Sequence, residues 1–195
     1  MTLISPLNYI HKKGLFGNFD NKNDESLLKI SENRNLLIVQ IVKYKNSSIS
    51  IEDLKIDDLK LKNESLNVIS NKNTRILWNS PNNWILISTK KDLLQNIFKV
   101  FKDSDFATTD LSHSKTVIEL EGSNVKEVLK KGCPYNFNIF KKNQSINSIY
   151  NGIAFTVDML DDNPDKVRLL SLRSFGESFY ESITDSSLEF GFKAI

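Results

Sequence analysis

Cysteine is nearly missing from this chain. Cys133 is the only one among 195 residues, so no intramolecular disulfide can form, which fits a reducing compartment. Zinc sites built on several thiolates are excluded with it. Histidine is almost as scarce: His11 and His113 are the only two, too few for a three-histidine metal centre. The longest nearly apolar run, Leu36 to Val42, falls far short of the ~20 residues that cross a bilayer as a helix. The N-terminus shows no basic stretch followed by an apolar core, as a signal peptide would. We therefore expect a cytoplasmic protein with no membrane contact. An excess of one charge is also lacking: 26 basic residues face 24 acidic ones, for a net charge of +2. Nucleic-acid binding needs a clustered basic face, so no nucleic-acid partner is expected.

What the chain does have is the material of a core. Hydrophobic residues make up 39% and aromatics 10%, enough for one domain or for two small halves that share a core. Leu36 to Tyr44 starts apolar on both faces and alternates later, as a strand central in a sheet does. Thr74 to Trp78 and Trp84 to Ser88 predict a hairpin around the five-residue loop Asn79 to Asn83. Of the two Trp, alternation leaves room for one in the core and one at an exposed contact. Thr89 with Asp92 predicts a helix cap, and Leu93, Leu94, Ile97, Phe98 and Phe101 follow as one apolar face. Ile51 to Leu66 keeps no clean period.

The best-specified stretch runs from Thr109 to Phe137. Thr116 to Leu120 is rich in β-branched and apolar residues, which favours a strand, and Gly122 breaks it. Asn124 with Glu127 predicts a capping box. Val125, Val128 and Leu129 give a helical stripe. Gly132 is expected to end the helix in the left-handed region, with Pro134 blocking its continuation. Beyond it, Asn151-Gly152 predicts a tight hairpin between Ile146–Tyr150 and Ile153–Leu160. Asp161 to Asp165 makes the next turn, Val167 to Leu172 the next strand, and Ser174 with Glu177 another capping box before Phe175, Phe179 and Ile183.

Strand, Pro-containing turn, strand and capped helix thus occur at 74 to 101 and again at 155 to 183. This weak repeat predicts an α+β fold of two similar halves, each a mainly antiparallel sheet with helices packed on it. Residues 1–30 are expected to be an irregular N-terminal arm, with Pro6, Gly14, Gly17 and the polar run Asn21 to Glu25. Residues 31–195 are expected to be a single domain with halves of about 31–104 and 105–195. The arm also carries Leu3, Ile4, Leu7, Tyr9, Ile10, Leu15, Phe16 and Phe19. That much apolar surface must be covered, by its own domain or by another subunit.

No reactive constellation is visible, and no catalytic, cofactor-binding or metal-ligating residue is expected. Cys133 and His113 make a conceivable nucleophilic pair, but Cys133 lies between a Gly and a Pro, where a small buried residue is the ordinary reading. Gly14-Leu-Phe-Gly17 follows no strand and does not meet the dinucleotide fingerprint. The adjacent pairs Asp57-Asp58 and Asp161-Asp162 read as solvated loop carboxylates.

Three stretches carry a resemblance. Asp110-Leu-Ser-His-Ser114, the strand after it, Glu121-Gly122, the short helix and Gly132-Cys-Pro134 resemble the core signature of the gamma subunit of heterotetrameric sarcosine oxidase. Arg75-Ile-Leu-Trp78 followed by Pro81-Asn-Asn-Trp84-Ile-Leu86 is similar to that family's strand, Pro turn, Trp and strand. Leu172-Arg-Ser-Phe-Gly176 is similar to its C-terminal Arg-Ser-Phe segment. After Cys133-Pro134 the chain departs from the pattern, with Tyr135-Asn-Phe137 in place of a small or aliphatic residue. The resemblance implies a fold like the aminomethyltransferase folate-binding domain. It also implies a non-catalytic, cofactor-free gamma subunit in a complex that demethylates sarcosine and passes the one-carbon unit to tetrahydrofolate. The implied partners are alpha, beta and delta subunits, mainly alpha. FAD, FMN, NAD, tetrahydrofolate and zinc would be held by those other subunits. On this reading Leu7, Tyr9, Phe16 and Phe19 of the arm, with Asp110, Ser112 and His113 of the loop, are the candidate contact residues. The alternatives are a stand-alone folate-binding or one-carbon transfer module, and a generic binding protein that shares the fold.

Overall fold

The segments with the clearest periodicity fold as their patterns require. A computed structural model shows how they are joined, and describes residues 4–20, 23 and 26–195. Leu3 and, Asn23 apart, the run Asn21 to Glu25 lie outside the described residues. The chain divides into two compact units. One comprises Met1–Arg34, Ser114–Lys142 and Asn147–Ile195, and the other Asn35–His113 and Asn143–Ile146.

The first unit opens with strands β1 (Gly14–Phe16) and β2 (Leu28–Glu32). The chain then builds the second unit: β3 (Leu37–Lys43), the short hairpin β4 (Lys55–Ile56) and β5 (Leu59–Lys60), β6 (Val68–Ser70), β7 (Thr74–Ser80), β8 (Asn83–Ser88), helix α1 (Leu93–Val100) and β9 (Phe106–Asp110). Its main sheet has the order β6-β7-β8-β3-β9, antiparallel throughout. Register sets the core. Ile41 and Trp78 both lie opposite Trp84, and Ile76 lies opposite Leu86. Residues directly opposite share a face, so the two Trp stand side by side rather than on opposite faces as alternation allowed. Trp84 is buried with Leu86, Leu93, Ile97, Phe101 and Phe106. The loop expected over five residues is only Pro81-Asn82. Asn82 takes φ 58°, as the third position of a type II turn requires, and a bulge between Trp78 and Ser80 restores the pairing.

The chain returns to the first unit through β10 (Lys115–Glu121), α2 (Val125–Gly132), β11 (Ser145–Tyr150), β12 (Ile153–Asp162), β13 (Asp165–Leu172), α3 (Gly176–Ser187) and β14 (Phe192–Ala194). The sheet order is β1-β14-β2-β10-β13-β12-β11, with β14 parallel to β2. Leu28, Ile30, Ile118, Leu120, Val157, Met159, Val167 and Leu169 alternate onto one buried face. On that side α2 and α3 pack on each other and on β13. Tyr150, Phe155 and Phe179 meet there ring to ring. Tyr135 and Phe137, where the chain departs from the family pattern, form a second edge-to-face cluster with Phe140.

The expected repeat is present as β7-β8-α1 in one unit and β12-β13-α3 in the other. In each, an antiparallel hairpin with a bulge near its turn runs into a helix. Four local expectations fail, three caps and the left-handed turn at Gly132. Thr89 is not the cap of α1, since Asp92 takes that position without a side-chain bond, and neither Asn124 nor Ser174 makes a side-chain cap bond; Ser174 sits inside a short 3-10 turn, Arg173–Phe175, that precedes α3. The helices are held by burial of stripes such as Val125, Val128 and Leu129, each 0% exposed. Gly132 ends α2 without a positive φ. Its role is room: an added Cβ would lie 2.7 Å from the buried Tyr150 ring.

Candidate subunit-contact surface

The N-terminal segment is tied to its own unit by many local bonds. The Ser5 hydroxyl donates to Glu32 and accepts from the Leu7 amide at 3.0 Å, while the Arg173 guanidinium donates to the Ile4 carbonyl. His11 lies 2.8 Å from the Tyr180 hydroxyl through Nδ1 and 3.0 Å from the Ile195 carbonyl through Nε2. Phe16 stacks on Phe192 at 5.2 Å where β1 pairs with β14. Gly17 and Gly191 allow the closest approach. Both have positive φ, and an added Cβ would meet Leu188 O at 2.2 Å and Asn18 O at 2.3 Å respectively. Only glycine fits such sites.

This packing sorts the candidate arm residues. Leu7 is fully buried within its own chain, Phe16 and Phe19 are half-buried, and Tyr9 is 72% exposed. Between the segment and α3 a cleft of about 320 Å³ remains open. Ile10, Phe16, Tyr180 and Phe192 line it with apolar surface. Lys12 stands on one rim, and Glu181 and Asp185 stand on the other. Burial pushes the Tyr180 phenol up to about 12, so it stays neutral. This cleft leaves little trace along the chain. Its signal is Glu177, Glu181 and Asp185, spaced four apart on α3 beside the apolar face of Phe179 and Ile183.

The Asp110–Ser114 loop is organised by local bonds in the second unit. Asp110 Oδ1 accepts from the Ser112 amide at 2.9 Å and from its hydroxyl at 2.5 Å. Ser112 Oγ in turn accepts from the Ile38 amide at 3.0 Å, and the Leu111 amide donates to Ile38 O at 2.7 Å. Asp110 and Ser112 thus close the end of β9 onto β3. His113 is exposed beside them.

Other polar groups serve the fold. The buried Cys133 thiol donates to Ser148 Oγ at 3.2 Å. Asp57 is not the solvated loop carboxylate expected. It turns the β4–β5 hairpin with φ 49° and binds Lys90 Nζ at 2.5 Å, Thr74 Oγ1 at 2.6 Å and Asn71 Nδ2 at 3.1 Å. Asp161 and Asp162 likewise bind Lys142, at 3.0 and 2.7 Å. The hydrogen bond from Lys90, then that from Thr74, holds the Asp57 carboxyl down at about 2, against partial burial. Folding therefore favours its ionised form. The sign follows: this stabilisation is complete above pH ~4, the unfolded value, and is lost as pH falls through about 2. Asp57→Asn should cost about 1–3 kcal/mol at neutral pH and flatten the stability curve across that acid window. Urea unfolding at a series of pH values measures both effects; parallel curves for the two proteins would refute the assignment. Among the described residues, no three His, Cys, Asp or Glu side chains are grouped to hold a metal ion. No helix among them is long and apolar enough to cross a membrane.

The comparisons with known proteins bear on this geometry. Residues 56–189 match the sequence model of the family described as sarcosine oxidase, gamma subunit. This chain belongs to that family. The heterotetrameric sarcosine oxidase from Corynebacterium sp. U-96, solved in complex with pyrrole 2-carboxylate, contains a chain of the same fold. TM-score is 0.79 at 19% identity, over 97% of both chains. The aminomethyltransferase T of the glycine cleavage system from Bartonella henselae is similar more distantly, with TM-score 0.58 and 10% identity over 82% of this chain. The chain spans 46% of that protein's length. Comparison with curated protein sequences gives no match. The α+β folate-binding-like architecture expected from the resemblance is therefore the fold, and the chain is a gamma-type subunit of the sarcosine oxidase class.

Proposed function

We propose that this gamma subunit is a non-catalytic assembly piece of an enzyme that oxidatively demethylates sarcosine and passes the one-carbon unit to tetrahydrofolate. The observation that carries the reading is the family match over residues 56–189. The partners are alpha, beta and delta subunits, with alpha as the main docking site. FAD, FMN, NAD, tetrahydrofolate and zinc belong to those chains, and the complex works in the cytoplasm. Exposed Tyr9 and His113 and half-buried Phe16 and Phe19 keep surface for a partner. Asp110 and Ser112 hold the loop that presents His113.

Co-expression with the large flavoprotein subunits tests this. The chain is expected to purify with them, and sarcosine turnover is expected to reside in the complex. Purified alone, the chain should be colourless and should not turn over an N-methyl amine; turnover by the isolated chain would refute the reading. Binding of tetrahydrofolate by the isolated chain, measured by calorimetry, would favour the one-carbon module instead.

A further inference from the structure

The cleft beside α3 combines apolar depth with a one-sided charge. Tyr180 forms part of its wall and is held by His11, so the wall is set before anything binds. Leu188, at the same cleft, is 42% exposed. An apolar recess with an exposed leucine at its mouth is a surface that association would cover.

The charge says what covers it. Glu177, Glu181 and Asp185 recur every four residues on α3, so they form one stripe on its exposed side. None of the three makes an ion pair or a side-chain hydrogen bond among the described residues. Lys12, on the opposite rim, pairs with none of them. Like charges at this spacing repel within a helix. The stripe also stands out on a chain whose net charge is +2. Carboxylates here disfavour phosphates, so neither nucleic acid nor an anionic membrane fits the cleft.

We propose that the cleft receives an apolar or aromatic side chain from a segment of a partner subunit, flanked by Lys or Arg residues that pair with Glu181 and Asp185. The proposal rests on the assembly role given above and adds to it a place and a chemistry. An anchor in a pocket ringed by charge pairs is how interfaces concentrate affinity and select partners.

The test uses the full chain co-expressed with the large subunits. Glu181→Lys with Asp185→Lys reverses the rim, and Thr184→Trp fills the recess. Circular dichroism and thermal unfolding of each free variant establish that it is folded. Both variants are expected to bind the complex at least about tenfold more weakly. Wild-type binding should weaken as salt rises above ~0.1 M, whereas binding of the rim variant should respond less. Equal retention of wild type and both folded variants would overturn the proposal while leaving the assembly role intact. Failure of the wild type itself to bind would overturn the assembly role, and this proposal with it. A wild-type homodimer abolished by the same variants would assign the cleft to a second copy of the chain instead.

Discussion

Arg168→Ala is expected to cost about 3–5 kcal/mol. Arg168 lies on the sheet face opposite α2 and α3, in register with Glu119 on one side and Asp158 on the other. Its Nε and NH2 groups donate to Glu119 Oε1 at 2.9 and 2.8 Å, and NH1 lies 4.0 Å from Asp158 Oδ2. The Asp158 side chain is fully buried, and those of Arg168 and Glu119 are only 12% and 14% exposed. Such a triad gives little net stability as a whole, because desolvation offsets the attraction. Removing only the cation is different: Glu119 then keeps Asn33 Nδ2 at 3.2 Å and Lys166 Nζ at 4.0 Å but loses its two short charged bonds, and the buried Asp158 loses the guanidinium beside it. Lys166 and Lys29 extend the ladder through Glu121, at 2.9 and 3.5 Å, and Lys166 also reaches Glu119 Oε2 at 4.0 Å, longer than the two bonds from the guanidinium. Arg168→Lys should recover part of the loss, since it restores the charge without the fork. Urea unfolding followed by circular dichroism measures both; a loss below 1 kcal/mol for the alanine variant would mean that water already reaches Asp158.

Trp84→Ala should cost a similar amount, about 3–5 kcal/mol, for an unrelated reason. Trp84 is the largest side chain in the second unit's core and is 1% exposed. Its neighbours lie on β3, β7, α1 and β9, rigid elements that cannot all close on the space left behind. Its indole N–H also donates to Lys62 O at 2.7 Å. Trp84→Phe separates the two terms, retaining most of the packing while leaving that carbonyl short of a donor, for about 1–2 kcal/mol. Equal losses for the alanine and phenylalanine variants would show that the hydrogen bond, not the volume, dominates. Trp78 offers a control in the adjacent register position: it is half-buried, with its N–H on Asn63 Oδ1 at 3.1 Å, so its truncation should cost less.

Much of this molecule was legible along the chain. β3, β10, the Asn151-Gly152 turn and the α2 stripe were visible because each depends on neighbours within a few residues. β2 was not. Leu28-Lys-Ile-Ser-Glu32 is short, and its place between β10 and β14 depends on strands far away in sequence. The caps expected at Asn124 and Ser174 have the right residue types, yet burial of the helices makes those bonds dispensable. The residues after α2 predict a left-handed turn at Gly132, whereas the cause of the glycine is the ring of Tyr150, 18 residues later and packed against it.

The candidate surface divides the same way. Asp110, Ser112 and His113 stood out as a signature within five residues, and the structure shows that two of them build the turn. The α3 carboxylates were equally readable as a stripe, but a stripe becomes the rim of a cleft only when Ile10 and Phe16 are brought opposite it.

Residue order alone settled the α+β class, the paired hairpin-and-helix plan and the family, because periodicity, turn chemistry and motif spacing are local properties. Which faces met, which carboxylates found cations and where apolar surface stayed uncovered were settled only by the tertiary fold, since burial and register are set by partners that sequence distance hides.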